Sequence, residues 1–464
     1  RSILIKPNQP NILNNLGNYY LENGDVQKSI KYFDMAISLG SENFNAFYNK
    51  GRAMTSINSM EDAINCYKQA IKINPENKAT HLNLGFIFNS TNRFDEAIHE
   101  YNIAIDLDEN FTEAIFNRGI TFSNQGNHEK AIEDFDVAIR IDRNARFILK
   151  RASSYEKLES FSKALDDYSH IISSGSLNKD KAMAYCRRGR LQNQMNNLEK
   201  GMPDIEMAIN LQPDNSDFYN EFAFGLEKLN RNEEATKRYK HAIELDPENY
   251  IAQMNLSRLE LASHNYRSGW QRYESRWKAQ GLGLIPLVTK KPKLESFEVK
   301  NKKILIWGEQ GLGDYIIYST ILPDALKTDN EFIVVLDSRL LDLYKASFKD
   351  FKNVVFLDSA DNEDLYDYHL PFASLGQFFR NSKQDFLNQK IPLLEADKEH
   401  TKKLRNRINS GNKHICGISW KSKNPKIGDS KSMRLEDFKS IFSLPGIDFV
   451  DLQYGDTKKE KKDL

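Results

Sequence analysis

The amino-acid sequence predicts a superhelix of stacked α-helix pairs over residues 1–280, joined to an α/β domain that begins near residue 301. Three observations carry this. Small and aromatic residues recur at a period near 34 residues through the first part. A Gly- and Pro-punctuated stretch, 281–300, follows. After it, short β-branched apolar runs alternate with helical segments.

The length of 464 residues requires two or three units rather than one. Lys+Arg and Asp+Glu are both 65, so the formal net charge is zero. A general nucleic-acid or anionic-membrane role needs a basic excess and is not expected. The basic cluster at 458–462 reads as a solvated chain end. Cys66, Cys186 and Cys416 lie far apart, with no metal-ligand spacing, so no metal and no disulfide framework are expected. No apolar run reaches the length of a membrane helix, and a cytoplasmic setting is the expectation. The chain begins at Arg1 rather than Met, so a targeting segment ahead of it stays open.

In the array, small residues stand at Gly17, Gly51, Gly85, Gly119, Ala152, Gly189 and Ala223, in steps of 34, 34, 34, 33, 37 and 34. Sixteen residues after each comes Phe33, Tyr67, Tyr101, Phe135, Tyr168, Ile205 or Tyr239. Small residues let helix backbones approach, aromatics fill the wider gaps, and Pro75, Pro213 and Pro247 close three of the units. One such pair cannot bury its apolar face alone, so neighbours stack into a right-handed superhelix. This pattern resembles the tetratricopeptide repeat, in seven units. The 37-residue step around 173–176 reads as a local insertion and a kink. An eighth hairpin, from about Asn249 to Lys278, departs from the pattern: Ser257 replaces the first glycine, and Trp270 and Trp277 appear. It reads as a cap that docks on a neighbour.

Two residues before each small residue stand Asn15, Asn49, Asn83 and Asn117, then Lys150, Arg187 and Glu221, with Asn255 in the cap. A row of carboxamides offers donors and acceptors that grip an extended peptide backbone without reading its sequence. Such a ladder resembles the concave face of eukaryotic O-linked N-acetylglucosamine transferase. The alternative is that Asn is a polar filler in an Asn-rich chain. A polypeptide in the groove is the expected partner.

The α/β part is expected to place strands at Lys303–Trp307, Glu331–Leu336, Asn353–Leu357, Asp367–Pro371, Ile415–Trp420 and Asp448–Gln453. Helices are expected at Tyr315–Leu326, Asp397–Asn409 and Arg434–Phe442. That rhythm is a parallel sheet with crossover helices. The stretch WGEQGLGD, residues 307–314, is its strand–turn–helix opening. Gly308, Gly311 and Gly313 let backbone come close to a ligand, and the helix start presents free N–H groups to it. Glu309 and Gln310 line the same turn. A P-loop is excluded because Asp314 stands where the lysine is required. A dinucleotide site wants its glycines in another order, although Asp337 is placed to meet a ribose.

A third reading rests on resemblance. WGEQGLGDYIIY with LeuPro at 322–323 resembles bacterial proteins that fuse tetratricopeptide repeats to a GT-B glycosyltransferase-like domain. The resemblance extends to Gly269, Trp270, Tyr273, Glu274, Arg276 and Trp277, to 417–425, to 431–433 and to 452–455. The Gly313–Asp314 pair is also similar, more distantly, to heptosyltransferases. The resemblance implies a Rossmann-like first half at 301–411 and the start of a second at 412–464.

It also implies inverting transfer from a nucleotide sugar as co-substrate, with no cofactor. Asp314 would then act as general base on the acceptor hydroxyl, orienting it at least as much as taking its proton; the alternative is that it caps its helix. Ser419, Lys421 and Ser422 would stabilise the leaving diphosphate; the alternative for Lys421 is a solvated loop lysine. A GT-B enzyme holds its donor largely with the later part of its second half, so residues 1–464 by themselves are not expected to transfer sugar efficiently. The competing class is a non-catalytic repeat scaffold with a vestigial α/β unit.

Overall fold

The computed structural model describes residues 9–40, 42–279, 281, 283–309, 311–389, 393–408, 413–421, 432–453 and 461. They divide into two compact units. One holds the described residues up to Leu259 with Lys278 and Ala279; the other holds Glu260–Trp277 and the described residues from Gly281 onward.

Helices come in successive pairs, from Pro10–Glu22 with Val26–Leu39 to Tyr250–Ala262 with Tyr266–Tyr273. The small-to-aromatic spacing has a direct steric cause. A Cβ added to Gly17, Gly51, Gly85 or Gly119 would stand 2.5 to 2.7 Å from the ring of Phe33, Tyr67, Tyr101 or Phe135. Each ring therefore lies flat on the preceding helix backbone, and all four are at most 2% exposed. The turn inside each pair carries one residue in the left-handed region, seven after the small residue. These are Gly24, Asn58, Asn92, Gly126, Glu159, Asn196, Asn230 and His264. Glycine and asparagine dominate because they tolerate positive φ. His264 keeps that register in the eighth pair, where Ser257 stands in the small position. Side chains of Asn43, Asn77, Asn127, Asn144 and Asn215 accept backbone N–H groups at helix starts.

The insertion near 173–176 is not a longer loop. Helix Asn178–Gln194 has 17 residues where the other first helices have 13, so the extra residues add a helical turn.

In the second unit, strands β1 (Lys303–Trp307), β2 (Glu331–Val335), β3 (Val354–Leu357) and β4 (Tyr368–Pro371) form a parallel sheet in the order β3-β2-β1-β4. Strands β5 (His414–Ile418) and β6 (Ile447–Asp451) form a separate parallel pair. The core joins Ile304, Ile306, Phe332, Val334, Tyr344, Phe356 and Leu370. The helix expected over Tyr315–Leu326 is two pieces, Leu312–Ser319 and Leu322–Ala325, because Pro323 lacks the N–H that would continue the first. The eighth pair is also divided. Residues from Glu260 to Trp277, expected with the repeats up to 280, pack in the α/β unit.

Candidate functional site

The order β3-β2-β1-β4 reverses direction at β1, so the turns after β1 and β4 meet at the carboxyl end of the sheet. In open α/β sheets this crevice is where ligands bind. Here the chain fills part of it. Arg276 and Glu309 both have fully buried side chains. Arg276 Nε and Nη2 donate to the two Glu309 oxygens at 2.7 and 3.0 Å, a bidentate fork. The Ala373 backbone N–H donates to Glu309 at 3.1 Å. Arg276 also donates to Ser374 Oγ at 2.9 Å and to Glu274 at 2.8 Å, and Ser374 donates to Glu274 at 2.7 Å. Lys293 pairs with the other Glu274 oxygen. Burial works against the Arg276 charge, but Glu309 and Glu274 outweigh it and hold its pKa above the ordinary value. Burial raises the Glu274 carboxyl, and Arg276 with Lys293 more than reverses this, leaving it below its ordinary value.

The residues of the 269–277 motif thereby gain separate structural reasons. Trp270 lies on Gly376, where a Cβ would be 2.5 Å from the indole, and donates Nε1 to the Arg380 carbonyl at 2.9 Å. Tyr273 bonds Tyr318 at 3.1 Å, oxygen to oxygen. Trp277 packs its ring against Trp307, 5.4 Å between centroids.

At the glycine turn the ring of Tyr315 occupies the space beside Gly308; a Cβ there would lie 1.9 Å from the ring. The missing side chain of Gly308 thus admits a side chain of the same protein. Gly313 has open space where a Cβ would be. Asp314 is half-buried, and its Oδ2 accepts the Gly311 N–H at 3.0 Å, a helix-capping contact. Tyr318 stands one turn beyond, and burial raises its phenol pKa. Asp337 binds its neighbour Arg339, which lowers its carboxyl to about 2. His369 accepts Trp307 Nε1–H at 3.1 Å, and burial lowers its pKa.

The loop after β5 is held by Gln453, a residue of the 452–455 stretch to which the sequence assigned no role. Gln453 is 8% exposed. Its Oε1 accepts from Ser419 Oγ at 3.1 Å and from the N–H groups of Trp420 and Lys421 at 3.0 and 2.8 Å, while its Nε2 donates to the Lys421 carbonyl at 2.9 Å. Ser419 and Lys421 are exposed at the surface of this loop. Gln310 and Ser422 lie outside the described residues.

In the repeats, first helices touch the first helices of the next pair, so they line the inner face. The asparagine register takes part in that stacking. Asn49 Nδ2 donates to Asn14 at 3.1 Å, Asn83 to the Tyr48 hydroxyl at 3.1 Å, and Asn255 to Asn220 at 3.0 Å. Asn49 is 7% exposed, Asn83 and Asn117 are half-buried, and Asn15 is exposed. In this register Asn49, Asn83 and Asn255 thus tie adjacent pairs together, whereas Asn15 stays exposed.

Sequence profiles of the tetratricopeptide repeat match residues 10–42, 51–90, 90–146 and 182–215. The first unit carries tetratricopeptide repeats. The chain is 26% identical over 290 residues to Protein FlbA of Caulobacter vibrioides, covering 55% of this chain and 46% of that protein, so it spans under half of that relative's length. A tetratricopeptide repeat protein from Parabacteroides merdae is 17% identical, with 54% of this chain and 98% of that one covered and a TM-score of 0.46. YrrB, described as a protein with an unusual peptide-binding site, is 22% identical, covering 37% of this chain and 89% of its own, with a TM-score of 0.33. No helix among the described residues is long and apolar enough to cross a membrane.

Proposed function

We propose that the repeats hold an extended polypeptide segment for an α/β unit that takes part in sugar transfer from a nucleotide sugar. The observation that carries the binding role is the inner face of the repeats, where one register offers carboxamides from successive first helices. Tetratricopeptide repeats bind polypeptides, which supports the same reading. The transfer step is supported by the placement of Asp314 at the opening of the helix after β1, beside an open Gly313. In that step Asp314 orients the acceptor hydroxyl and receives its proton as the sugar–phosphate bond breaks.

A second reading is a scaffold without catalysis. It is favoured by the Arg276–Glu309 fork, which takes up space at the carboxyl end of the sheet. One experiment separates the two. The complete gene product is incubated with a captured partner polypeptide and radiolabelled nucleotide sugars. Transfer that disappears in Asp314→Asn, with partner binding unchanged, supports the enzyme. Equal transfer by Asp314→Asn removes that residue from the mechanism, and no transfer by the parent protein leaves the scaffold.

A further inference from the structure

The inner register of the repeats changes chemistry halfway along. After Asn15, Asn49, Asn83 and Asn117 come Lys150, Arg187 and Glu221. Their neighbours are already satisfied. Arg151 forks onto Asp167 and reaches Asp136 at 2.6 Å; Arg188 forks onto Asp204; Arg190 pairs with Glu156 at 2.8 Å. The side chains of Lys150, Arg187 and Glu221 form no hydrogen bond or ion pair among the described residues. Lys150 is exposed, and Arg187 and Glu221 are half-buried. Burial and the nearby Asp217 raise the Glu221 carboxyl, against the pull of Arg190 and Arg187. At this one register two cations and one carboxylate therefore stand without a hydrogen-bonded or ion-paired partner among the described residues.

The geometry points to a charge-reading step in the peptide groove, in which Lys150 and Arg187 take two carboxylates of an extended peptide and Glu221 takes a cation. This rests on the polypeptide-binding reading and names the partner's chemistry. Touching helices lie about 8–10 Å apart, which is about three residues of extended chain. The recognised sequence therefore has an acidic residue, a second acidic residue three positions on, and a basic residue after a similar interval. Arg187 offers a planar fork to a carboxylate, whereas Lys150 offers a point charge, so the Arg187 site is the more selective of the two.

The test is fluorescence anisotropy with the whole chain and synthetic peptides of Ser, Ala and Gly. One peptide carries two Glu at that spacing followed by Lys. Others carry the same residues adjacent, or with every charge reversed, or carry none. The spaced peptide is expected to bind about tenfold or more tightly than the others, with affinity falling as salt rises. Lys150→Glu with Arg187→Glu should remove that gain and let the charge-reversed peptide bind better. Lys237→Glu with Lys240→Glu, both exposed on a second helix, makes the same charge change and should not. Equal binding of the spaced and uncharged peptides overturns the charge step and leaves the groove reading standing. Binding by none of the peptides overturns both. Tighter binding of a single-stranded oligonucleotide through Lys150 and Arg187 overturns the peptide assignment.

Discussion

The repeats and the α/β unit place their charges in opposite ways. In the repeats one arginine clamp recurs in three successive units, Arg118 with Asp134, Arg151 with Asp167 and Arg188 with Asp204, each time sixteen residues apart. Each guanidinium side chain keeps 22 to 24% of its surface exposed. In the α/β unit one guanidinium, Arg276, is wholly buried and joins its near neighbour Glu274 to Glu309 and Ser374 from two distant places in the chain. A repeated clamp at a half-open surface tolerates loss, because water can replace the partner and neighbouring pairs hold the stack. A single buried fork does not, because removing one member strands a charge in a dry interior.

The largest expected effect follows from this. Arg276→Met leaves Glu309 buried without its partner and should cost the α/β unit about 3–5 kcal/mol. Calorimetry should show its transition lowered while that of the repeats holds. Combining it with Glu309→Leu should recover most of the loss. If both transitions fall together, the contrast between local and gathered charge is broken.

A smaller effect sharpens the repeat side. Glu159 occupies the left-handed turn position that glycine or asparagine holds in most other pairs. Glu159→Asn should stabilise the first unit by about 1 kcal/mol. Chemical unfolding checks this, and an unchanged midpoint would mean that Glu159 bears no strain there.

The smallest effect is opposite in sign in the two units. His81 is buried, which works against its charge, but Glu100 and the Pro75 carbonyl raise its pKa above 6.5. A raised folded pKa contributes stability that is complete below the unfolded value and is lost as pH rises through the folded value. His369 is lowered by burial and by Lys293. Its contribution is present above the unfolded value and is lost as pH falls through the folded value. Between pH 8 and 5, about the window of an ordinary histidine, His81→Gln should flatten a gain in the first unit and His369→Gln a loss in the second. Parallel slopes in both would show that neither histidine controls its unit.

The repeats were legible because their contacts are short in sequence. A glycine and the ring that lies on it are sixteen residues apart, and the same pair recurs unit after unit. The left-handed column, Gly24 to His264, was equally present as a spacing of seven, although the small residues drew attention first. The strands of the α/β unit were also legible, since all six begin and end within two residues of the bounds expected from their apolar runs. The site was legible only in part. Asp314 and Gly313 stand at the expected turn. Glu309, beside them, gave no sign that its carboxylate turns inward.

By itself the sequence determined what depends on period and local sterics: the helix pairs, their turns, the parallel strands and the glycine turn. Only the tertiary structure decided where Glu309 points, that Tyr315 fills the space beside Gly308, that Gln453 clamps the loop of Ser419 and Lys421, and which half of the eighth pair belongs to which unit. The physical reason is the length of the connections. Arg276 meets Glu309 across 33 residues and Ser374 across 98, once each, with no repeat to announce them. Burial, which decides whether such a charge stabilises or destabilises, exists only once the chain has closed around it.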